Sequence, residues 1–132
     1  MALHITLRNG EKMIVNGAVL RAVGRTQICF ENKALLLRGR DVMTPEESDT
    51  PSKRLYFATM MAYIDPDGLE RHRETLLVLI ADLLDALEGL EAKAICTSYA
   101  QKIATSDFYA ALGDCRRLID YETVALNRFA AA

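Results

Sequence analysis

Apolar and polar positions follow two different rhythms along this chain. In the first forty residues the period is two: Ile5 and Leu7 alternate with His4, Thr6 and Arg8, as in a half-buried strand. Asn9-Gly10 marks a turn, Met13-Ile14-Val15 leads into a second Asn-Gly at 16–17, and Ala18-Val19-Leu20 follows it. Both residues of such a pair tolerate the positive φ that a tight hairpin turn requires. Gly24 marks another reversal before the alternating Thr26–Phe30. Asn32-Lys33 precedes Ala34-Leu35-Leu36-Leu37, an apolar run that reads as a strand covered on both faces. The expectation is an antiparallel meander of four or five short strands.

After Arg40 the period lengthens to that of a helix. Thr44-Pro45-Glu46-Glu47 has a capping threonine, a proline at the first helical position and a carboxylate at the third. Thr50-Pro51 repeats the signal so soon that the first can open only a single turn. Residues 52–64 are dense in apolar side chains and predict a buried helix, with a strand as the alternative for Leu55–Phe57. Asp65-Pro66 starts the next helix, in which Leu76, Ile80, Leu83, Leu87 and Leu90 recur at intervals of four and three as a packing seam. Gly89 interrupts or ends it. A third helix over 91–104 aligns Ile95, Tyr99 and Ile103. Ser106-Asp107 opens a fourth, carrying Phe108, Leu112, Cys115, Ile119, Leu126 and Phe129, and Ala130–Ala132 should fray. Strands first and helices after define an α+β protein: an N-terminal β meander followed by a bundle of three to four helices.

At 132 residues with 51% hydrophobic and 26% charged side chains, the chain suits one domain with its own core, not a disordered segment. Within it, residues 1–43 form a basic β-rich part and residues 44–132 an acidic helical part. The net charge of −2 divides unevenly. Residues 1–40 carry seven Lys/Arg against two acids, for +5, and residues 41–132 carry nine against sixteen, for −7. Such asymmetry points to a polyanion as partner of the basic half, or to mutual neutralisation of the halves across an interface. No apolar run is long enough to span a bilayer, and residues 1–9 lack the apolar stretch of a signal peptide, so a cytoplasmic location is expected.

Catalytic chemistry is scarce. No nucleophile elbow, zinc-protease helix, P-loop or dinucleotide fingerprint occurs. Asp82 and Asp85 read as a solvated helical face, and His72, between Arg71 and Arg73, as a solvated histidine. Cys29, Cys96 and Cys115 have no metal-ligand spacing, and the latter two fall on apolar helical positions as small buried hydrophobes. The chain reads as a binding protein, not an enzyme, without cofactor or metal. Arginines and lysines on short strands can neutralise phosphates. Phe30 is the single aromatic in the first fifty residues, which excludes a sheet that stacks RNA bases. RNA recognition would then rest on strand-edge arginines and backbone groups.

These residues resemble the FlbT family of flagellar post-transcriptional regulators. The matching pieces are Gly10-Glu11-Lys12, Asn16-Gly17-Ala18-Val19, Asn32-Lys33-Ala34, Leu37-Arg38, Asp41-Val42-Met43 and Thr50-Pro51. They continue through Arg54-Leu55-Tyr56-Phe57, Met61 and Tyr63-Ile64-Asp65 to Phe108–Leu112, Arg116–Ile119 and Tyr121-Glu122. The chain departs from the family at Arg38-Gly39-Arg40, where members commonly have a longer charged stretch. The resemblance implies a cytosolic regulator associated with the 5′ untranslated region of flagellin mRNA. In some members that association represses translation and promotes decay, and in others it acts positively. It also implies links to flagellin and to the small flagellin-associated protein FlaF.

A second likeness covers only Ile5–Glu11 and Met13-Ile14, which look like the opening strand of the carbon storage regulator family, β dimers that bind loops in mRNA leaders. It implies that Arg8 and Arg38 lie on an RNA-binding face. Arg8, Arg38 and Arg40 would contact RNA, with Lys12, Arg25 and Lys33 on phosphates. The rival reading is a protein-interaction adaptor for flagellin or FlaF that touches the message indirectly. A homodimer is compatible with both, because the leucine seam and the edge strands call for cover.

Overall fold

The structure is a computed structural model that describes residues 3–131, with the side chains of 129–131 left aside. The Phe129 side chain and the whole of Ala132 therefore lie outside what is described. The chain divides into two compact units, Met1–Val42 and Met43–Ala132.

The first unit holds five strands: β1 (Leu3–Leu7), β2 (Lys12–Val15), β3 (Ala18–Arg21), β4 (Thr26–Phe30) and β5 (Leu36–Arg38). They form two antiparallel sheets, β1-β4 and β3-β2-β5. Asn16 (φ 50°) and Gly17 (φ 85°) close the β2–β3 hairpin, the conformation that an Asn-Gly pair favours. The Asn9-Gly10 turn does not join paired strands. β1 passes over its neighbour in sequence and pairs with β4, Leu7 opposite Thr26 and Leu3 opposite Phe30. Asn9 serves this longer connection, its side-chain carbonyl accepting the Gly24 N–H at 2.8 Å. Ile5, Leu7, Met13 and Ala22 are buried together, with Val15, Ile28, Phe30 and Leu36 packed around them. The period-2 alternation thus becomes a small core shared by the two sheets.

The second unit is a bundle of α1 (Pro51–Ile64), α2 (Leu69–Ala86), α3 (Leu90–Ala104) and α4 (Phe108–Ala131). The α+β class read from the two periods is the class found, and Leu55–Phe57 is helical. Thr44 opens only a short 3-10 turn, its backbone N–H and hydroxyl both donating to the Glu47 carboxylate at 3.1 and 2.9 Å. Thr50 then caps α1, its hydroxyl accepting the Lys53 N–H at 3.3 Å. α4 packs along α1 and α3, and α1 along α2. Leu55, Met60, Leu76, Leu83, Ile103, Leu112 and Leu118 fill the centre.

The leucine seam is shorter than its spacing suggests. Leu76, Ile80 and Leu83 are buried and Leu87 half-buried, but Leu90 is 88% exposed. The helix stops at Ala86, and Gly89 caps the start of α3, so the heptad register is lost between Leu87 and Leu90. Leu126 is also exposed, because α4 beyond Glu122 turns no residue of 123–128 into the core.

Polar links also pin the bundle. Asp114, fully buried, accepts from Lys102 Nζ at 2.8 Å, Ser98 Oγ at 2.9 Å and Arg117. The Thr59 hydroxyl bonds Tyr99 Oη at 2.8 Å, and the Ser52 N–H donates to Glu122 at 2.9 Å. Cys96 and Cys115 are buried as small hydrophobes, and burial pushes the Cys115 thiol up to about 12.

Candidate nucleic-acid interface

The basic residues of the first unit are brought together by strand register. The β1–β4 pairing ends with Leu7 opposite Thr26, and Arg8 and Arg25 flank that last pair in the chain. On the second sheet, β5 pairs with β2, Met13 opposite Arg38, and the chain then tightens into the 3-10 turn Gly39–Asp41. A side chain at Gly39 would put its Cβ 2.8 Å from the Lys12 carbonyl oxygen, so only glycine lets the turn close there. That turn brings Arg40 back beside the 8–11 loop.

The result is an open groove of about 960 Å³ lined by Thr6, Arg8, Asn9, Gly10, Glu11, Arg25, Arg38 and Arg40. Glu11 organises it. One carboxylate oxygen accepts the Arg8 N–H at 3.0 Å, and the other lies 3.2 Å from Arg38 Nη2. Arg38 Nη2 also donates to the Thr6 carbonyl at 3.4 Å. The Arg8 amide, and then Arg38, hold the Glu11 carboxyl below its ordinary value. Asn9 ties the 23–25 turn to the 8–11 loop through its bond to Gly24 and so carries Arg25 to the rim.

Of the six cations singled out from sequence, four (Arg8, Arg25, Arg38 and Arg40) line one groove. Lys12 is exposed on β2 opposite Arg21, and Lys33 is exposed in the connection between β4 and β5; both lie outside the lining. Glu11, Thr6 and Asn9 line it without having stood out as site residues in the sequence. For Glu11 a signal exists: an acid three residues after an arginine, across a turn, can fold back on the arginine's own amide. Four guanidiniums against one carboxylate give the groove a net positive charge, the kind of surface that attracts phosphates.

The fold and groove define a small α+β protein whose β unit carries an open, arginine-lined groove. Its family follows from comparison. The model of the flagellar protein FlbT family matches residues 3–126, and the chain belongs to that family. It is 32% identical over 128 residues to a probable flagellum biosynthesis repressor protein FlbT of Caulobacter sp. (strain K31), covering 96% of this chain and 98% of the relative. It is 32% identical over 133 residues to a protein of the same description, FlbT 1, of Bradyrhizobium diazoefficiens, covering 99% and 89%. A relative from Agrobacterium fabrum is 30% identical over 125 residues, covering 95% and 84%. These names support a regulatory role in flagellum synthesis. No solved structure gives a significant match. Among the described residues no helix is long and apolar enough to cross a membrane.

Proposed function

We propose that this chain is a cytoplasmic post-transcriptional regulator that holds the 5′ untranslated region of flagellin mRNA in the arginine groove and represses its translation or promotes its decay. The observation that carries the reading is the convergence of Arg8, Arg25, Arg38 and Arg40 on one open groove. The names of the relatives supply the flagellar context, and the family resemblance supplies the message. The mechanism requires no catalytic step. The guanidiniums would bind phosphates, with base contacts left to the loop residues beside them.

The test is fluorescence anisotropy of the whole chain on flagellin leader RNA, with a scrambled RNA of equal length, at three salt concentrations. Four phosphate contacts on a single strand predict a slope of log K against log salt of about −2.8. Preference for the leader with such a slope supports the reading, and equal or salt-independent binding overturns it.

The adaptor reading rests on a different observation, an apolar groove between α2 and α3 lined by Leu76, Leu77, Ile80, Tyr99, Ala100 and Ile103. It predicts that charge reversal at Arg8 and Arg38 leaves binding of flagellin or FlaF intact and that purified protein does not bind the leader.

A further inference from the structure

The outer strand of the second sheet is exposed along its whole length. β3 pairs with β2 on one side, and all four of its residues, Ala18 to Arg21, are exposed, Val19 at 66% and Leu20 at 41%. Val23, just beyond, is 84% exposed. Edge strands that stay single are usually protected by prolines, bulges or inward charges, and the Ala-Val-Leu segment has no such residue.

The direction of its backbone groups follows from the hairpin. A two-residue turn makes Val15 and Ala18 a hydrogen-bonded pair, so bonding alternates along the strand. The Ala22 N–H bond to the Glu11 carbonyl at 2.9 Å falls in the same phase. Ala18, Leu20 and Ala22 therefore turn their backbone groups toward β2, whereas Val19 and Arg21 turn theirs outward. The open edge offers a donor and an acceptor at each of these two positions.

We propose that this edge is a self-association site, where β3 pairs antiparallel with β3 of a second copy about a two-fold axis at Leu20. Val19 then meets Arg21 of the other copy, and each such pair exchanges two hydrogen bonds. Leu20 meets its own counterpart, apolar against apolar. The two three-stranded sheets become one continuous sheet. Packing and charge together favour this register: centring the axis on Val19 would set Leu20 against Ala18 and lose the Leu20–Leu20 contact. Centring the axis on Arg21 would set Arg21 against Arg21, and a slip of one residue would turn the inward-bonded groups to the partner. A second copy fits better than an unrelated strand because the segment is complementary to itself: its lone cation falls opposite valine.

Sedimentation velocity of the full chain over a concentration series tests this with two exposed substitutions. Val19→Lys sets a cation against Arg21 of the other copy and should shift the assembly to monomer. Val19→Glu sets an anion there and should tighten it, with the gain lost in high salt. A third variant reads the register directly. Leu20→Cys in a Cys29→Ser background should form an intermolecular disulfide between the two substituted positions, since non-hydrogen-bonded partners have Cα atoms about 4.5 Å apart. Circular dichroism checks that each variant is folded. A wild-type chain that stays monomeric throughout, a dimer indifferent to both changes at Val19, or failure of the Leu20→Cys cross-link overturns the proposal. The monomeric result would leave the edge to a strand of another protein.

Discussion

Glu11 holds Arg38 across the basic groove, carboxylate to guanidinium at 3.2 Å, while its second oxygen takes the Arg8 amide. The groove thus contains a cation whose position is set by an anion 27 positions earlier in the chain. Glu11→Gln keeps the shape and removes the charge. It should raise affinity for any single-stranded RNA and lower discrimination between leader and scrambled sequence, because Arg38 is released to take phosphates indiscriminately. Anisotropy with both RNAs checks this, and unchanged discrimination would assign Glu11 a purely structural part.

The same carboxylate gives a pH dependence with a definite sign. Its folded-state pKa lies below its ordinary 4.5, so the unfolded chain binds its proton first as pH falls. The stability it contributes is fully present above 4.5 and is lost as pH drops through the lowered folded value. Urea midpoints of wild type and Glu11→Gln should differ at neutral pH and draw together in acid.

Gly39 is predicted to be intolerant of a side chain. Gly39→Ala drives a methyl group into the Lys12 carbonyl, backbone against backbone, so the turn must open and Arg40 must leave the groove. RNA affinity should fall several-fold, and the salt slope should become shallower by about 0.7 for each phosphate the groove no longer holds. Gly113, inside α4, is the opposite case. A Cβ there meets nothing within 4 Å, and Gly113→Ala should stabilise the chain by about 1 kcal/mol in thermal or urea unfolding.

Leucines at the two ends of the seam should behave differently. Leu76→Ala empties a fully buried site and should cost about 3 kcal/mol, whereas Leu90→Ala, 88% exposed, should cost less than about 0.5 kcal/mol. Comparable losses at both positions would mean that Leu90 is covered in solution.

Asp114→Ala removes the acceptor shared by Lys102, Ser98 and Arg117. The cations are 29% and 59% exposed and can return to water, which moderates the penalty. A loss of about 2 kcal/mol is expected in urea unfolding, with a smaller one for Lys102→Met, where Asp114 keeps Arg117 and Ser98.

Local chemistry makes some elements readable in the sequence. The Asn16-Gly17 hairpin, the paired Thr-Pro starts at 44 and 50 and the Leu76–Ile80–Leu83 stripe all rest on residues within a few positions of one another. The β1–β4 pairing is not legible there, because nothing near Leu7 specifies Thr26 over the closer Lys12; it depends on which apolar faces close over Met13 and Ala22. Leu90 misleads for a related reason: its spacing suits the seam, but Gly89 resets the helix before the spacing can act. The four groove arginines are within reach as cations of the basic half. Their convergence, and the exclusion of Lys12 and Lys33, follow only from strand register.

The bond from the Ser52 amide to Glu122 spans 70 positions of sequence, and α1 packs along the same last helix. As the chain leaves the ribosome, every strand of the basic unit already has its partner once residue 38 has emerged. The helical unit, by contrast, cannot complete the start of its first helix until the last one has been made. Every residue that lines the groove is thus made before the helical unit begins, whereas that unit waits for its last helix to close the first.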